Sequence, residues 1–169
     1  MSDAATMTAV EAGTTTAPDQ LWFLTNLVTI HVRGEDTDGR MDMLEMTLPP
    51  GDEPPLHVHH EQDECFYVLD GEVTIFLAGG EERTLQAGEF ARAPRGVPHI
   101  YRAGDSGARV LTQSSPAGFQ SFVETLSVPA AAPVLPQPAG PPTPEQTAHL
   151  AAVAAEHGIE ILGPPGTRP

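Results

Sequence analysis

Three histidines and one glutamate in this chain stand at positions from which they can share a cation. His57 and His59 occupy i and i+2 in the run Leu56-His57-Val58-His59. In an extended strand such side chains point to the same face. Glu64 follows after a short connection, at the start of the next extended segment, and returns to that face if the two strands are antiparallel neighbours. His99, in Pro94-Arg95-Gly96-Val97-Pro98-His99, joins them only if a later strand curls back to close a barrel. Three neutral imidazoles and a carboxylate form a donor set that suits Ni, Fe, Mn, Co, Cu or Zn better than Ca or Mg. With four protein ligands, Mn, Fe, Co or Ni keeps one or two positions for water or substrate. The expectation is therefore one divalent transition-metal ion on His57, His59, Glu64 and His99. His60 has the opposite parity and points outward on this reading. Glu61 and Asp63, in the connection, read as solvated carboxylates.

The elements that must position these groups are short strands. From Leu21 to about Leu126, segments rich in Val, Ile, Leu, Phe and Thr recur between turn signals, the mark of an all-β sandwich or barrel. The expected strands are 21–32, 40–48, 55–60, 64–69, 72–78, 82–86, 90–93, 98–103, 108–114 and 118–126. Asp70-Gly71 reads as a hairpin turn, as do Gly79-Gly80 and Asp105-Ser106-Gly107. Pro49-Pro50-Gly51 stops the second strand. Residues 1–20 read as a flexible arm, 21–128 as the barrel, 129–142 as a Pro/Ala-rich connector, and 143–169 as a helix and tail. Thr143, Pro144 and Gln146 form a capping box with proline at the first helical position, and Gly158 is a C-terminal stop.

Two spaced motifs carry a family resemblance. Gly51-x₅-His57-x-His59-x₄-Glu64-x₆-Gly71 resembles the first signature of the cupin superfamily, and Gly88-x₅-Pro94-x-Gly96-x₂-His99 resembles the second, with sixteen residues, Glu72 to Ala87, between them. The one departure is Ala103, where the family pattern has an asparagine that is not a metal ligand. The resemblance covers about residues 40–115 and implies a double-stranded β-helix, a jelly-roll barrel with the metal inside.

Strand parity extends the reading to a pocket. If Glu64 faces inward, so do Phe66 and Val68; if His99 does, so does Tyr101. Leu44, Met46 and Leu48 share one face of the strand before the first motif. A mainly apolar wall with one phenol suits a small, flat organic ligand, and the buried hydroxyl of Tyr101 wants a partner, a metal-bound water or a substrate oxygen. Glu64-x-Phe66-Tyr67 with His99-x-Tyr101-Arg102 is similar to bacterial quercetinase-type dioxygenases. That similarity implies a metal-dependent dioxygenase acting on a flavonol-like enol or phenol, with Glu64 as the catalytic base. The alternatives are a non-oxidative metal-dependent isomerase or decarboxylase, and a non-enzymatic small-molecule or metal-binding cupin.

Composition bounds the partners. The formal net charge is −15, and all eight basic residues are arginine. So negative a field repels phosphate backbones, which argues against nucleic-acid binding. No run approaches the length of a membrane span, and the N-terminus lacks the basic and apolar regions of a signal peptide. With one cysteine, Cys65, there is no intramolecular disulfide. The expectation is a cytoplasmic protein, and the dimers common among small cupins imply a homodimer.

Overall fold

The computed structural model describes residues 20–80 and 82–169, so the arm expected over residues 1–20 lies, but for Gln20, outside the described residues. Ten strands run in the order β1 (Gln20–Phe23), β2 (Asn26–Val32), β3 (Asp42–Leu48), β4 (Leu56–His59), β5 (Asp63–Leu77), β6 (Arg83–Gln86), β7 (Phe90–Ala93), β8 (His99–Ser115), β9 (Val128–Pro129) and β10 (Ile159–Gly163). Helix α1 (Phe119–Leu126) precedes β9, and α2 (Pro144–Glu156) precedes β10. The pairing order is β10-β4-β8-β3-β2-β1-β9, and β5 lies against β6, β7 and β8. This is the expected all-β jelly roll with a helix near its C-terminal end. No helix among the described residues is long and apolar enough to cross a membrane.

Alternation drives the strands. β3 buries Asp42, Leu44, Met46 and Leu48 and turns the residues between them outward. β5 buries Glu64, Phe66 and Val68 on one face and leaves Tyr67 exposed. The inward faces meet in one core that includes Val28, Leu44, Val68, Leu85 and Val123, each fully buried.

Several expected boundaries move. The segments 64–69 and 72–78 are halves of one strand, β5, and 98–103 and 108–114 are halves of β8. Asp70-Gly71 is therefore no hairpin. The two long strands pair with each other along their length, with register shifts between Val68 and Asp70 and between Gly71 and Val73. Gly71 (φ 73°) and Gly107 (φ 79°) make the bend on the two facing strands. A side chain on Gly71 would run into the carbonyl oxygen of Gly107, and one on Gly107 would sit 2.6 Å from the carbonyl oxygen of Leu48. Glycine is required here both for the left-handed backbone and for the close approach. Gly79-Gly80 is the expected turn, closed by the Gly80 N–H donating to Leu77 O at 3.1 Å.

The segment 118–126 is helical rather than extended. Phe119, Phe122, Val123 and Leu126 repeat at helical spacing and pack against the core, and that period overrides the β-propensity of Phe, Val and Thr. Asp42 supplies the missing cap: its Oδ2 accepts from the backbone N–H of Gly118 (2.8 Å) and of Gln120 (3.0 Å). Helix α2 begins as expected, with Thr143 and Gln146 capping each other's backbone N–H groups. The tail after it is partly a strand. β10 pairs with β4, setting Ile159 opposite His59 and Ile161 opposite His57. The connector is tied down where Trp22 Nε1 donates to Val134 O at 2.8 Å.

Candidate metal centre and its cavity

Four donor atoms from three strands converge inside the barrel. β4 presents His57 and His59, β5 presents Glu64 one residue from its start, and β8 opens with His99. The donor atoms of His57, His59, Glu64 and His99 all lie within 4.8 Å of one another. His57 and His99 are register partners with ring centroids 4.5 Å apart, and the His59 ring is 5.1 Å from His57 and 5.5 Å from His99. Glu64 Oε2 is 2.9 Å from His99 Nε2 and 3.4 Å from His59 Nε2. The loop carrying the second motif is locked by the Gly96 N–H, which donates to His59 O at 2.7 Å.

Backbone contacts select the nitrogen each imidazole offers. His57 Nδ1 is 2.8 Å from Pro55 O, and His99 Nδ1 is 3.0 Å from Val97 O. A carbonyl oxygen only accepts, so each Nδ1 carries the proton and donates it. Each Nε2 then faces the cluster, that of His99 donating to Glu64 Oε2 until an ion displaces its proton, the arrangement by which outer partners orient metal-ligating histidines. His59 is 1% exposed, and neither of its ring nitrogens has a hydrogen-bond partner. The Gln62 amide lies beside this ring outside hydrogen-bond geometry, with its own Oε1 buried and unpartnered. A buried imidazole left unpaired is costly, and a cation at the centre of the cluster would take the lone pair of Nε2, the nitrogen 3.4 Å from Glu64. The residues present therefore fit a transition-metal ion.

Protonation follows the same geometry. Burial, reinforced by the two neighbouring imidazoles, pushes His57 down to about 3. Burial likewise lowers His59. Burial alone would raise Glu64, but the surrounding imidazoles outweigh it and hold the carboxyl at about 2. Burial opposes a charge on His99, yet its hydrogen bond and attraction to Glu64 win and raise it above the usual imidazole value. The ionised Glu64 thus favours a proton on His99 over one on His57 or His59.

Beside the cluster lies a cavity of about 60 Å³, walled by Met46, Phe66, Tyr101, Phe119, Phe122 and Ile159 among others. Of the six residues expected to form a pocket, Met46, Phe66 and Tyr101 line it. Leu44, Leu48 and Val68 have the same inward parity but are packed into the core. His60 is exposed and pairs with Glu160 at 2.9 Å. The Tyr101 hydroxyl donates to Asp52 Oδ2 at 3.0 Å. Burial and the Asp52 charge push the Tyr101 hydroxyl well above the ordinary phenol value. Burial raises Asp52 against the hydrogen bonds from Thr25 and Tyr101.

Sequence reasoning missed Asp52, Phe119, Phe122, Leu150, Ile159 and Ile161. The helical spacing of Phe119 and Phe122 and the alternation Ile159-Glu160-Ile161 were available signals. Asp52 had none, because its role depends on the loop folding back on β8 through Ala103 N–H to Asp52 O (2.9 Å) and Gly51 N–H to Gly104 O (3.1 Å).

Comparison with known proteins agrees with this architecture. Residues 44–113 match the sequence profile of a cupin domain. Quercetin 2,3-dioxygenase of Bacillus subtilis (strain 168) is 33% identical over 86 residues, which is 51% of this chain and 25% of that protein. An uncharacterized protein of Aquifex aeolicus (strain VF5) is 41% identical over 46 residues, 27% of this chain and 37% of its own length. The chain thus spans a minor part of each of these relatives. Ectoine synthase from P. lautus superposes with a TM-score of 0.54 at 21% identity, covering 73% of this chain and 87% of that one, a likeness in fold alone.

Proposed function

We propose that this chain, whose residues 44–113 match the sequence profile of a cupin domain, is a cupin whose barrel holds one divalent transition-metal ion, Ni, Fe, Mn, Co, Cu or Zn, on His57, His59, Glu64 and His99 and acts as a metal-dependent dioxygenase on a small, flat enol or phenol. The observation that carries the metal is the convergence of three imidazoles and a carboxylate, with His59 buried and unpaired. Support for the dioxygenase comes from the similarity to quercetin 2,3-dioxygenase over about half of this chain. A bound ion supplies an anchor for an enolate or phenolate oxygen and open positions for a second reactant.

The chain's own residues do the rest. Glu64, ionised and facing the cavity, accepts the substrate's hydroxyl proton. His57 and His99 are held by their Nδ1 hydrogen bonds, so the cluster keeps its shape as that proton moves. Phe66, Phe119 and Phe122 exclude water and offer ring edges to a flat ligand. The partly open space of about 60 Å³ has room for only a few waters, at ~15 Å³ each. It takes the oxygen-bearing edge of a ring and favours single-ring ligands over a whole flavonol. A decarboxylase usually offers the substrate carboxylate a cationic side chain besides the metal. None of the described residues lining the cavity is an arginine, and Arg92 and Arg102 are exposed. We also read the protein as a cytoplasmic homodimer, by analogy with other small cupins.

The test is oxygen uptake by protein loaded in turn with Mn, Fe, Co and Ni, offered flavonols, catechols and simple enols. Consumption that disappears in Glu64→Gln supports the reading. If every metal form leaves every substrate untouched, the dioxygenase fails and a metal-binding cupin remains.

A further inference from the structure

Beyond the four clustered residues, Tyr101 and Thr112 are the only described residues on the cavity wall with a hydroxyl, amide or charged side chain. The Thr112 hydroxyl is turned to Met46 Sδ at 3.6 Å. Tyr101 is therefore the remaining polar residue of the described wall, and the hydrogen-bonding sense of its hydroxyl is set from behind. Its hydroxyl donates to Asp52 Oδ2 at 3.0 Å, while Asp52 Oδ1 accepts from Thr25 Oγ1 at 2.7 Å. Asp52 does not touch the cavity. Its backbone is fixed by Asp52 N–H to Pro49 O (3.1 Å) and Ala103 N–H to Asp52 O (2.9 Å). Asn26, buried at the start of β2, lies close to both side chains. A phenol has one proton. With that proton committed to Asp52, the oxygen meets a ligand only through a lone pair.

We propose that Tyr101 is the specificity-determining residue of this cavity and that Asp52 is its positioning residue, so that the site selects a phenol or enol carrying a second hydroxyl that donates to Tyr101. This rests on the reading of the cavity as a site for small enols and phenols, and adds to it which of them fit. A site built around a hydrogen bond discriminates strongly against an analogue that cannot make it, because its own polar group is then left unpaired.

The experiment measures calorimetric binding of resorcinol and hydroquinone against 3- and 4-fluorophenol, close isosteres that lack the second donor, to metal-loaded protein. We expect the wild type to favour one of the diols over its fluoro analogue by about tenfold. Tyr101→Phe brings that ratio close to one. Asp52→Asn offers Tyr101 an amide N–H, frees the phenol proton to turn into the cavity, and shifts the ratio towards the fluorophenol. A merely structural Tyr101–Asp52 tie would weaken all four ligands together and leave the ratio unchanged, and that result overturns the inference while leaving the phenol site standing. If no phenol binds the wild type, the inference and the phenol reading both fall. Should Tyr101→Phe not fold, the ratio in Asp52→Asn decides alone.

Discussion

His57 and His99 are the one register pair that joins β4 to β8, and their rings stand 4.5 Å apart. The same two residues that offer nitrogen to the cluster therefore close this side of the barrel. Ligation and closure are linked, and the consequences can be measured.

Replacing either residue should empty the site. His57→Ala and His99→Ala are expected to weaken metal binding by at least ~100-fold, since losing an outer partner alone costs 10- to 100-fold. Metal content after dialysis against a weak chelator checks this. A His57→Ala protein that retains a full equivalent of metal would remove the basis of the site.

Acid should act on the metal through His99. That imidazole is raised by Glu64, so it is protonated below a value above the ordinary one, and the ion must displace its proton. Affinity is expected to fall about tenfold per pH unit below that value. His57, held near 3, and Glu64, held near 2, add no further competition until strongly acid pH. Titration of Ni or Co binding between pH 5 and 8 reads the slope.

The metal-free fold should lose stability in the same direction. His57 has a depressed value in the folded state, so its contribution is complete above about 6.5 and is lost as pH falls towards about 3. Glu64 is also depressed, from about 4.5 to about 2, and adds a loss of the same sign below 4.5. His99 is raised and works the other way, contributing below about 6.5 and losing that contribution as pH rises through its folded value. Urea midpoints of chelated protein should therefore fall between pH 6 and 3, and should fall less steeply in His57→Ala, where only the losses from His59 and Glu64 remain.

Asp42 should matter far more than its distance from the cluster implies. It is fully buried and caps α1 through the N–H groups of Gly118 and Gln120. Asp42→Ala leaves both donors unpaired and should cost ~2 kcal/mol or more. Because Phe119 of α1 packs 5.9 Å from the His59 ring, metal affinity should fall with it. Asp42→Asn keeps an acceptor and should cost less. Chemical denaturation and metal titration of both variants separate these effects.

The parts of this molecule legible in its sequence are those fixed by local spacing. His57-x-His59 needs only the two-residue strand period, and Thr143 with Gln146 needs only one helical turn. Asp70-Gly71 shows where local reading fails. A glycine with positive φ marks a hairpin in isolation, but facing Gly107 it marks a bend in an uninterrupted strand. Whether the chain reverses or continues there depends on a partner thirty-six positions away. Asp42 shares the parity of Leu44 and Met46, so its burial is readable, but its role is not, because local pattern gives a strand where the helix it caps stands. Tyr101 was placed correctly on the inward face. Its partner Asp52 was invisible, because hydrogen-bond partners across loops leave no periodic trace.

The paired bends at Gly71 and Gly107 also impose a counting frame on the site. From Glu64 to Gly71 is seven positions along one ribbon, and from His99 to Gly107 is eight along the other. Since neither bend tolerates a side chain, neither can drift along its ribbon to absorb an inserted or deleted residue. One residue removed between Glu64 and Gly71 would rotate the carboxylate from the interior to the outer wall, so evolution or engineering can change what surrounds this centre far more readily than the lengths of chain that lead to it.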